Sequence, residues 1–291
     1  MADPAVRHER IEADGLQLHV ARAGEGPPVI LLHGFPENWT SWRHQIAPLV
    51  AAGYSVMAPD LRGYGRSDRP SGREAYHLRH LVEDVAALVR ASGYARAHVA
   101  GHDWGGIIAW TFAGVHPELI DKLVVLNAPH LDIYFEKLRR PPQMFRSWYV
   151  LLFRLPWIPE WLLWRQDYWA VRNLFRYVPA RRGAFSEGMI DGYVKALAAP
   201  GALSAALNYY RALFLRDAIV MGRRARVSAE TLVIWGVRDP ALGLELLHGL
   251  QRVAPRACSY RIPDAGHWVQ NEAPDEVNRA ILDFLAVHPS T

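Results

Sequence analysis

The sequence of 291 residues contains a single cysteine, Cys258, so one chain cannot form an internal disulfide. Scarce cysteine is typical of proteins that work in a reducing compartment. No uninterrupted apolar run reaches the ~18 residues that a membrane span requires. The charged stretch 1–10 lacks the apolar core of a signal peptide. These absences predict a cytoplasmic protein with no stable membrane insertion.

Lysine is also scarce, because the chain has only Lys122, Lys137 and Lys195, and arginine supplies most of the positive charge. The net charge is +4, which raises the question of a nucleic-acid partner. The arginines are dispersed along the chain with acidic residues between them, and a nucleic-acid face needs clustered charge. The sequence therefore predicts no nucleic-acid binding.

Short apolar runs alternate with segments of helical periodicity in the first 130 residues and again near the end of the chain. The predicted strands are 16–21, 29–32, 54–58, 98–100, 123–126, 231–235 and 259–262. The predicted helices between them include 38–52, 78–92, 104–116 and 242–253. This alternation indicates an α/β fold with a mostly parallel sheet covered by helices on both faces.

The alternation stops between residues 131 and 226, where no strand pattern occurs and Trp, Tyr, Arg and Pro are frequent. We expect a helical lid at 131–226, inserted into a core domain made from 1–130 and 227–291. Within this insertion the stretch 149–164 is the most apolar, but Arg154, Glu160 and two prolines interrupt it. A packed aromatic lid is the favoured interpretation, and peripheral membrane contact is the alternative.

The string GHDWGG at 101–106 follows a predicted strand and begins a predicted helix. Small residues on both sides of a central residue are what a sharp strand–turn–helix elbow requires, and that central residue is usually a serine nucleophile. Here it is Asp103. The residues alone leave a second interpretation open, because an aspartate in this position often only caps the helix.

The string HGFP at 33–36 follows an earlier strand, where this kind of fold supplies a backbone N–H to an oxyanion hole. The expected donors are the amides of Phe35 and Trp104. Pro36 can fix the loop, with a cis bond as one way of doing so. An ordinary tight turn is the alternative, and His33 and His102 are expected to be structural.

A base and an acid follow the last two predicted strands. His267 stands out by position among 13 histidines, and Asp239 is placed to accept its ring N–H. Asp132 is an alternative acid, whereas Asp264 is expected to cap a turn. The order nucleophile, acid, histidine is that of a hydrolase triad, and the spacing of the histidines predicts no metal site.

Five blocks of the sequence carry a wider resemblance: HGFPENWTSWRHQI, PDLRGYGRSDRP, GHDWGG, LNAPH and GHWVQNEAP. With them the chain resembles the epoxide hydrolases of the α/β-hydrolase superfamily over nearly its whole length. The resemblance implies two lid tyrosines that hold the epoxide oxygen. Tyr149 matches the first, seven residues before a proline, and Tyr210 matches the second, directly before an arginine. Tyr209 is the register alternative.

An aspartate nucleophile suits attack on saturated carbon, because the product is an ordinary ester rather than an anhydride. The resemblance accordingly implies hydrolysis of a small apolar epoxide by water to a vicinal diol, without a cofactor, in a monomer or homodimer. Phe35, Trp104 and Trp268 are expected to contact the substrate. The alternatives are a haloalkane or haloacid dehalogenase with the same triad, and a ligand receptor that has lost catalysis.

Overall fold

A computed structural model describes residues 4–286, and its centre is an eight-stranded sheet. The strands are β1 (Arg7–Ala13), β2 (Leu16–Ala23), β3 (Pro28–Leu32), β4 (Ser55–Pro59), β5 (Ala97–His102), β6 (Ile120–Leu126), β7 (Glu230–Gly236) and β8 (Ala257–Ile262). Their order across the sheet is β1-β2-β4-β3-β5-β6-β7-β8. Along this order, the neighbouring strands from β4 through to β8 are all parallel. At the other edge, β1 pairs antiparallel with β2, and β2 pairs antiparallel with β4. The predicted α/β architecture is confirmed.

Helices cover both faces of the sheet, as the continuous apolar strands require. In β3, Ile30 and Leu32 belong to one buried cluster, while Val29 and Leu31 belong to the other. The helices that flank the sheet are α1 (Arg43–Ala51), α2 (Leu78–Ala91), α3 (Trp104–Val115) and α13 (Pro274–Ala286). Because successive side chains of a strand point to opposite faces, a strand buried on both faces must be apolar throughout.

Seven helices lie between β6 and β7. They are α4 (Leu131–Lys137), α5 (Gln143–Arg146), α6 (Trp148–Phe153), α7 (Ile158–Tyr177), α8 (Glu187–Leu197), α9 (Ala202–Leu213) and α10 (Arg216–Arg224). Helix α7 is interrupted at 165–168, where Gln166, Asp167 and Tyr168 have φ between 52° and 57°. Such left-handed backbone is rare for residues other than glycine. The interruption turns the second part of α7 to a new direction.

Two expectations differ from the structure. The predicted helix 242–253 is broken into a 3₁₀ turn (Leu244–Leu247) and the short α11 (Leu250–Val253), because Gly249 at φ 87° reverses the backbone between them. Strand β1 was not predicted, because it lies at the sheet edge and its RHERIEA sequence is mostly exposed.

The short helix α12 (Val269–Glu272) follows β8. Over residues 4–286, no helix has both the length and the apolar character needed to cross a bilayer.

Candidate active site

Asp103 lies between β5 and α3 in a strained turn, with φ 52° and ψ −119°. The flanking glycines are required by crowding: a Cβ on Gly101 would lie 2.2 Å from the Gly105 carbonyl oxygen, and one on Gly105 would lie 2.1 Å from the Leu32 oxygen. The Asp103 side chain makes no capping hydrogen bond to α3. The structure therefore has the elbow that the motif predicts and not a simple helix cap.

The loop after β3 approaches this turn from one side. The backbone N–H of Phe35 donates to Oδ1 of Asp103 at 2.9 Å. A Cβ on Gly34 would lie only 2.4 Å from the Asp103 Cβ, so this approach needs glycine. The Phe35–Pro36 peptide bond is cis. Trp104 is the first residue of α3, directly after Asp103, so its N–H has no acceptor within the helix.

His267 lies in the loop between β8 and α12, on the other side of Asp103. Its Nε2 is 3.7 Å from Oδ2 of Asp103, and its Nδ1 donates to Oδ2 of Asp239 at 2.7 Å. Burial alone lowers the pKa of His267, but the Asp239 charge and hydrogen bond, with a further contribution from Asp103, raise it to about 9. The imidazolium is thus strongly stabilised while both carboxylates are ionised.

Asp239 is fully enclosed and held by three donors besides His267. The Asn127 side-chain amide donates to Oδ2 at 2.8 Å, and the backbone N–H groups of Ala241 and Leu242 donate to Oδ1 at 2.8 and 2.9 Å. Burial raises the pKa of Asp239, but His267 and these hydrogen bonds lower it below the ordinary value. Asn127, at φ 38°, was missed from the sequence although it lies in the LNAPH block.

The other two acids that the sequence offered lie elsewhere. Asp132 pairs with Arg223 at 3.1 Å on α4 and α10. Asp264 lies in the turn after β8, where it is more than half exposed, and its carboxylate pairs with Arg181 at 2.8 Å. Of the three acids, Asp239 is the one that contacts His267.

Asp103 and His267 open into a cavity of about 720 Å³. Its walls are apolar side chains, mostly from α6 and α7, among them Leu152, Phe153 and Trp169. Phe35 and Trp268 also line it. Trp104 packs directly behind it, with its ring centroid 5.0 Å from that of Tyr210. A cavity of this size and polarity fits a small, mainly apolar molecule.

Tyr149 on α6 and Tyr210 on α9 both line the cavity together with Asp103. Their ring centroids are 6.2 Å apart. Burial and the nearby carboxylates, Asp103 among them, raise the pKa of both phenols well above the usual value, so both carry their protons at neutral pH. Tyr209 faces away, because its hydroxyl donates to the Arg62 carbonyl at 2.7 Å. Tyr210 is the residue of this pair that reaches the site.

Comparison with known proteins agrees with this geometry. The family model described as alpha/beta hydrolase fold matches residues 27–274. Epoxide hydrolase 3 of Xenopus tropicalis is 39% identical, covering 95% of this chain and 76% of that protein. Epoxide hydrolase A of Mycobacterium tuberculosis is 33% identical, covering 94% and 96%. A crystal structure of Bacillus megaterium epoxide hydrolase with an inhibitor superposes with a TM-score of 0.86 at 30% identity, covering 96% of this chain and 100% of that one.

This chain belongs to the epoxide hydrolases of the α/β-hydrolase family.

In this epoxide hydrolase the two histidines beside the catalytic motifs hold the loops in place. The Leu61 N–H donates to Nε2 of His33 at 3.0 Å, and His33 Nδ1 donates to the Gly34 carbonyl at 2.9 Å. His102 bridges Glu37 (3.1 Å) and the backbone carbonyl of His267 (2.9 Å). Both are buried and both tie one loop to another, as expected of structural residues. Glu37 was not singled out from the sequence, although it directly follows the HGFP string.

Among residues 4–286 of this epoxide hydrolase, no cluster of three or more His, Cys, Asp or Glu side chains is arranged to hold a metal ion.

Proposed function

We propose that this chain hydrolyses epoxides to vicinal diols through a covalent ester on Asp103. The observation that carries the proposal is a single one: a carboxylate and two protonated phenols line the same apolar cavity, with a histidine–aspartate pair behind the carboxylate. A carboxylate can open an epoxide at carbon, and the phenols can receive the charge that forms on oxygen. The curated relatives that are named epoxide hydrolases support the same reaction.

In the first step Asp103 attacks one carbon of the epoxide ring. Oδ1 is held by the Phe35 amide, which leaves Oδ2, on the His267 side, as the attacking atom. The new carbon–oxygen bond forms as the ring carbon–oxygen bond breaks, and the released alkoxide takes a proton from Tyr149 or Tyr210. The raised pKa of both phenols keeps them protonated until an alkoxide, a much stronger base, appears.

In the second step neutral His267 removes a proton from water, and the hydroxide attacks the ester carbonyl of Asp103. The oxyanion that forms lies against the amides of Phe35 and Trp104, where one donor is typically worth ~10² to 10³ in rate. Collapse releases the diol and restores the carboxylate. Asp239 stabilises the imidazolium and fixes the ring, and the proton held by His267 then returns through solvent to the tyrosine.

The lid and the cellular setting complete the proposal. We assign residues 131–226 to the lid and residues 1–130 and 227–291 to the core, whose two outer ends extend beyond the described residues. Phe35 and Trp268, which line the cavity, would contact the apolar part of the substrate, whereas the Trp104 ring lies behind Tyr210 and would support that tyrosine instead. The lone Cys258 supports a reducing, cytoplasmic setting.

The covalent step is tested with a single turnover in ¹⁸O-water. Label is expected in the Asp103 carboxyl group, because hydroxide attacks that carbonyl, and the diol should carry the original unlabelled oxygens. Digestion and mass analysis of the peptide that contains Asp103 give the readout. Label that appears first in the diol would show direct hydration. Parallel incubation with haloalkanes, with halide release as the readout, tests the dehalogenase alternative.

Removal of one phenol hydroxyl is expected to slow ring opening. We predict that Tyr149→Phe and Tyr210→Phe each lower the rate of ester formation by ~10², and that the double variant loses more, because the alkoxide then has no proton donor. Stopped-flow single-turnover kinetics with styrene oxide measure this rate. Tyr209→Phe is the matched control: it loses a buried bond to Arg62, so it should lower stability while leaving ring opening within about threefold.

The raised pKa of His267 predicts a specific pH dependence. Only neutral His267 can activate water, so ester hydrolysis should rise with pH through the pKa of His267 and level off above it. In the resting enzyme that pKa is about 9, partly because of the Asp103 charge. Esterification removes this charge, so we expect the midpoint for ester hydrolysis to lie below the midpoint of the free enzyme.

The two midpoints are measured separately. NMR titration of His267 gives the value for the free enzyme, and the decay of the ester in single-turnover experiments gives the other. Asp103→Asn should lower the NMR pKa of His267 for the same reason. Identical midpoints in the free enzyme and the ester would contradict the electrostatic coupling between these two residues.

A further inference from the structure

Two helices of the 131–226 segment turn apolar stripes toward solvent. Trp161 and Trp164 are spaced i and i+3 near the start of α7, Trp157 directly precedes the helix, and each of the three is more than half exposed, with Trp157 at 82%. Residues at this spacing share one face of a helix. Amphipathic helices of globular proteins turn such a face inward, so a stripe of three exposed tryptophans needs an explanation.

Helix α6 repeats the arrangement. Trp148 and Leu151, spaced i and i+3 on α6, and Leu155, which follows the end of α6, are exposed, whereas Val150 and Phe153 of α6 are buried. Helices α6 and α7 pack against each other. Their exposed residues together form what we call the lid face, which consists of Trp148, Leu151, Leu155, Trp157, Ile158, Trp161 and Trp164.

The lid face adjoins the opening of the catalytic cavity. Trp148 and Trp169 line the cavity and are each more than half exposed, so they stand at its mouth. Trp148 also belongs to the lid face. The apolar surface is therefore continuous from the outside of α6 to the cavity wall that leads to Asp103.

The sequence segment that carries the lid face is predominantly positive. Residues 139–165 contain five arginines and a single acid, Glu160. That acid is neutralised by Arg211, with a distance of 2.8 Å between them. Of the five arginines, Arg154 and Arg165 are exposed within or next to the residues of the lid face, whereas Arg139 and Arg140 lie beside Asp132 and Glu136. Arg165 places its guanidinium group over the Trp161 ring, with the guanidinium carbon 4.6 Å from the ring centroid, so a positive charge lies directly at the lid face.

We propose that the lid face is a reversible docking surface for an anionic lipid bilayer, which the protein contacts with the mouth of its cavity turned toward the membrane. Tryptophan rings are suited to the boundary between head groups and acyl chains, and the arginines match the charge of acidic phospholipids. Contact at this depth requires no membrane-spanning helix. Together with the proposed function, this placement would let an apolar epoxide pass from the lipid into the cavity.

A second copy of the chain is the competing occupant of an apolar face. A stable dimer through the lid face would bring the exposed arginines of two chains together, with Glu160 already neutralised within its own chain. It would also cover Trp148 and Trp169 and so obstruct the route to Asp103. An anionic lipid surface does not repel the arginines, and because it is fluid it does not obstruct the route to Asp103.

Co-sedimentation with vesicles tests the proposal. We expect the protein to sediment with vesicles of phosphatidylglycerol and phosphatidylcholine in equal parts, and to bind several-fold less to phosphatidylcholine alone or at high salt. The triple variant Trp157→Ala/Trp161→Ala/Trp164→Ala should reduce binding by at least ~10-fold. These three residues are not part of the cavity wall, so hydrolysis of styrene oxide in buffer should persist and show that the variant is folded.

Matched variants guard against nonspecific effects. Tyr94→Ala/Tyr260→Ala removes two exposed aromatic residues far along the chain from the lid and should bind vesicles as the original protein does. Arg154→Gln/Arg165→Gln should weaken binding to the acidic vesicles, whereas Arg96→Gln/Arg261→Gln should not. The proposal is overturned by an original protein that stays in the supernatant, or by equal binding of the triple variant. Sedimentation velocity that shows a dimer abolished by the tryptophan changes would also overturn it.

Discussion

Asp103→Asn is expected to reduce epoxide turnover by ~10⁶, the scale on which removal of a covalent nucleophile acts in hydrolases with a comparable triad. The amide is neutral and is a poor nucleophile, so ring opening loses its attacking group. Asparagine keeps the shape of aspartate, and its carbonyl can still accept from the Phe35 N–H. It also tolerates positive φ better than most residues, which matters at φ 52°. Steady-state kinetics with styrene oxide measure the loss.

The control for this variant is another aspartate that the sequence offered as a member of the triad. Asp132→Asn removes a carboxylate that pairs with Arg223 outside the cavity, so turnover should stay within about twofold and only stability should fall, by ~1 kcal/mol or less. Thermal unfolding of both variants separates folding from chemistry. If Asp103→Asn kept substantial turnover while folding normally, water would have to attack the epoxide directly, and the ester proposal would fail.

Much of the fold was predictable because buried strands require apolar residues, which can be recognised in the sequence. All seven strands predicted from the sequence are present, and the central ones β3 to β7 are recognisable because a strand covered on both faces must be apolar along its length. β1 was missed because its sequence, RHERIEA, is charged and contains no apolar run. The predicted helix 242–253 failed because Gly249, which looks harmless in a periodic pattern, has a backbone conformation that ends one helix and starts another.

The candidate site divides in the same way. Asp103, Asp239 and His267 each follow a strand, so the parallel sheet brings them to one edge whatever the loops do in detail. The partners of Asp239 depend on loop conformation, and no periodicity could show that Asn127 would turn at φ 38° to meet it. The cavity wall was still harder to foresee. It includes Arg165 and Gln166 at the interruption of α7, and the helical periodicity of 158–177 did not indicate a left-handed backbone there.

His267→Gln carries the second large prediction, because it should separate the two chemical steps. Ring opening uses Asp103 and the tyrosines, so the first turnover should still form the ester. Hydrolysis of the ester needs a base to activate water, and glutamine cannot serve as one. We expect kcat to fall by ~10⁴ while the ester accumulates. Intact mass analysis should show a protein heavier by the full mass of the epoxide, with the added mass on the peptide that contains Asp103.

The adduct itself supplies the decisive control. In the double variant Asp103→Asn/His267→Gln no adduct should form, because the group that accepts the carbon is gone. In Tyr149→Phe/His267→Gln the adduct should form more slowly by ~10² but should be equally stable, because the phenol acts before the ester exists and not after it. A His267→Gln protein that still turns over at a normal rate would contradict both steps. A His267→Gln protein that is inactive and forms no adduct would place His267 in ring opening. The proposed assignment of ring opening to the tyrosines and ester hydrolysis to the histidine would then be wrong.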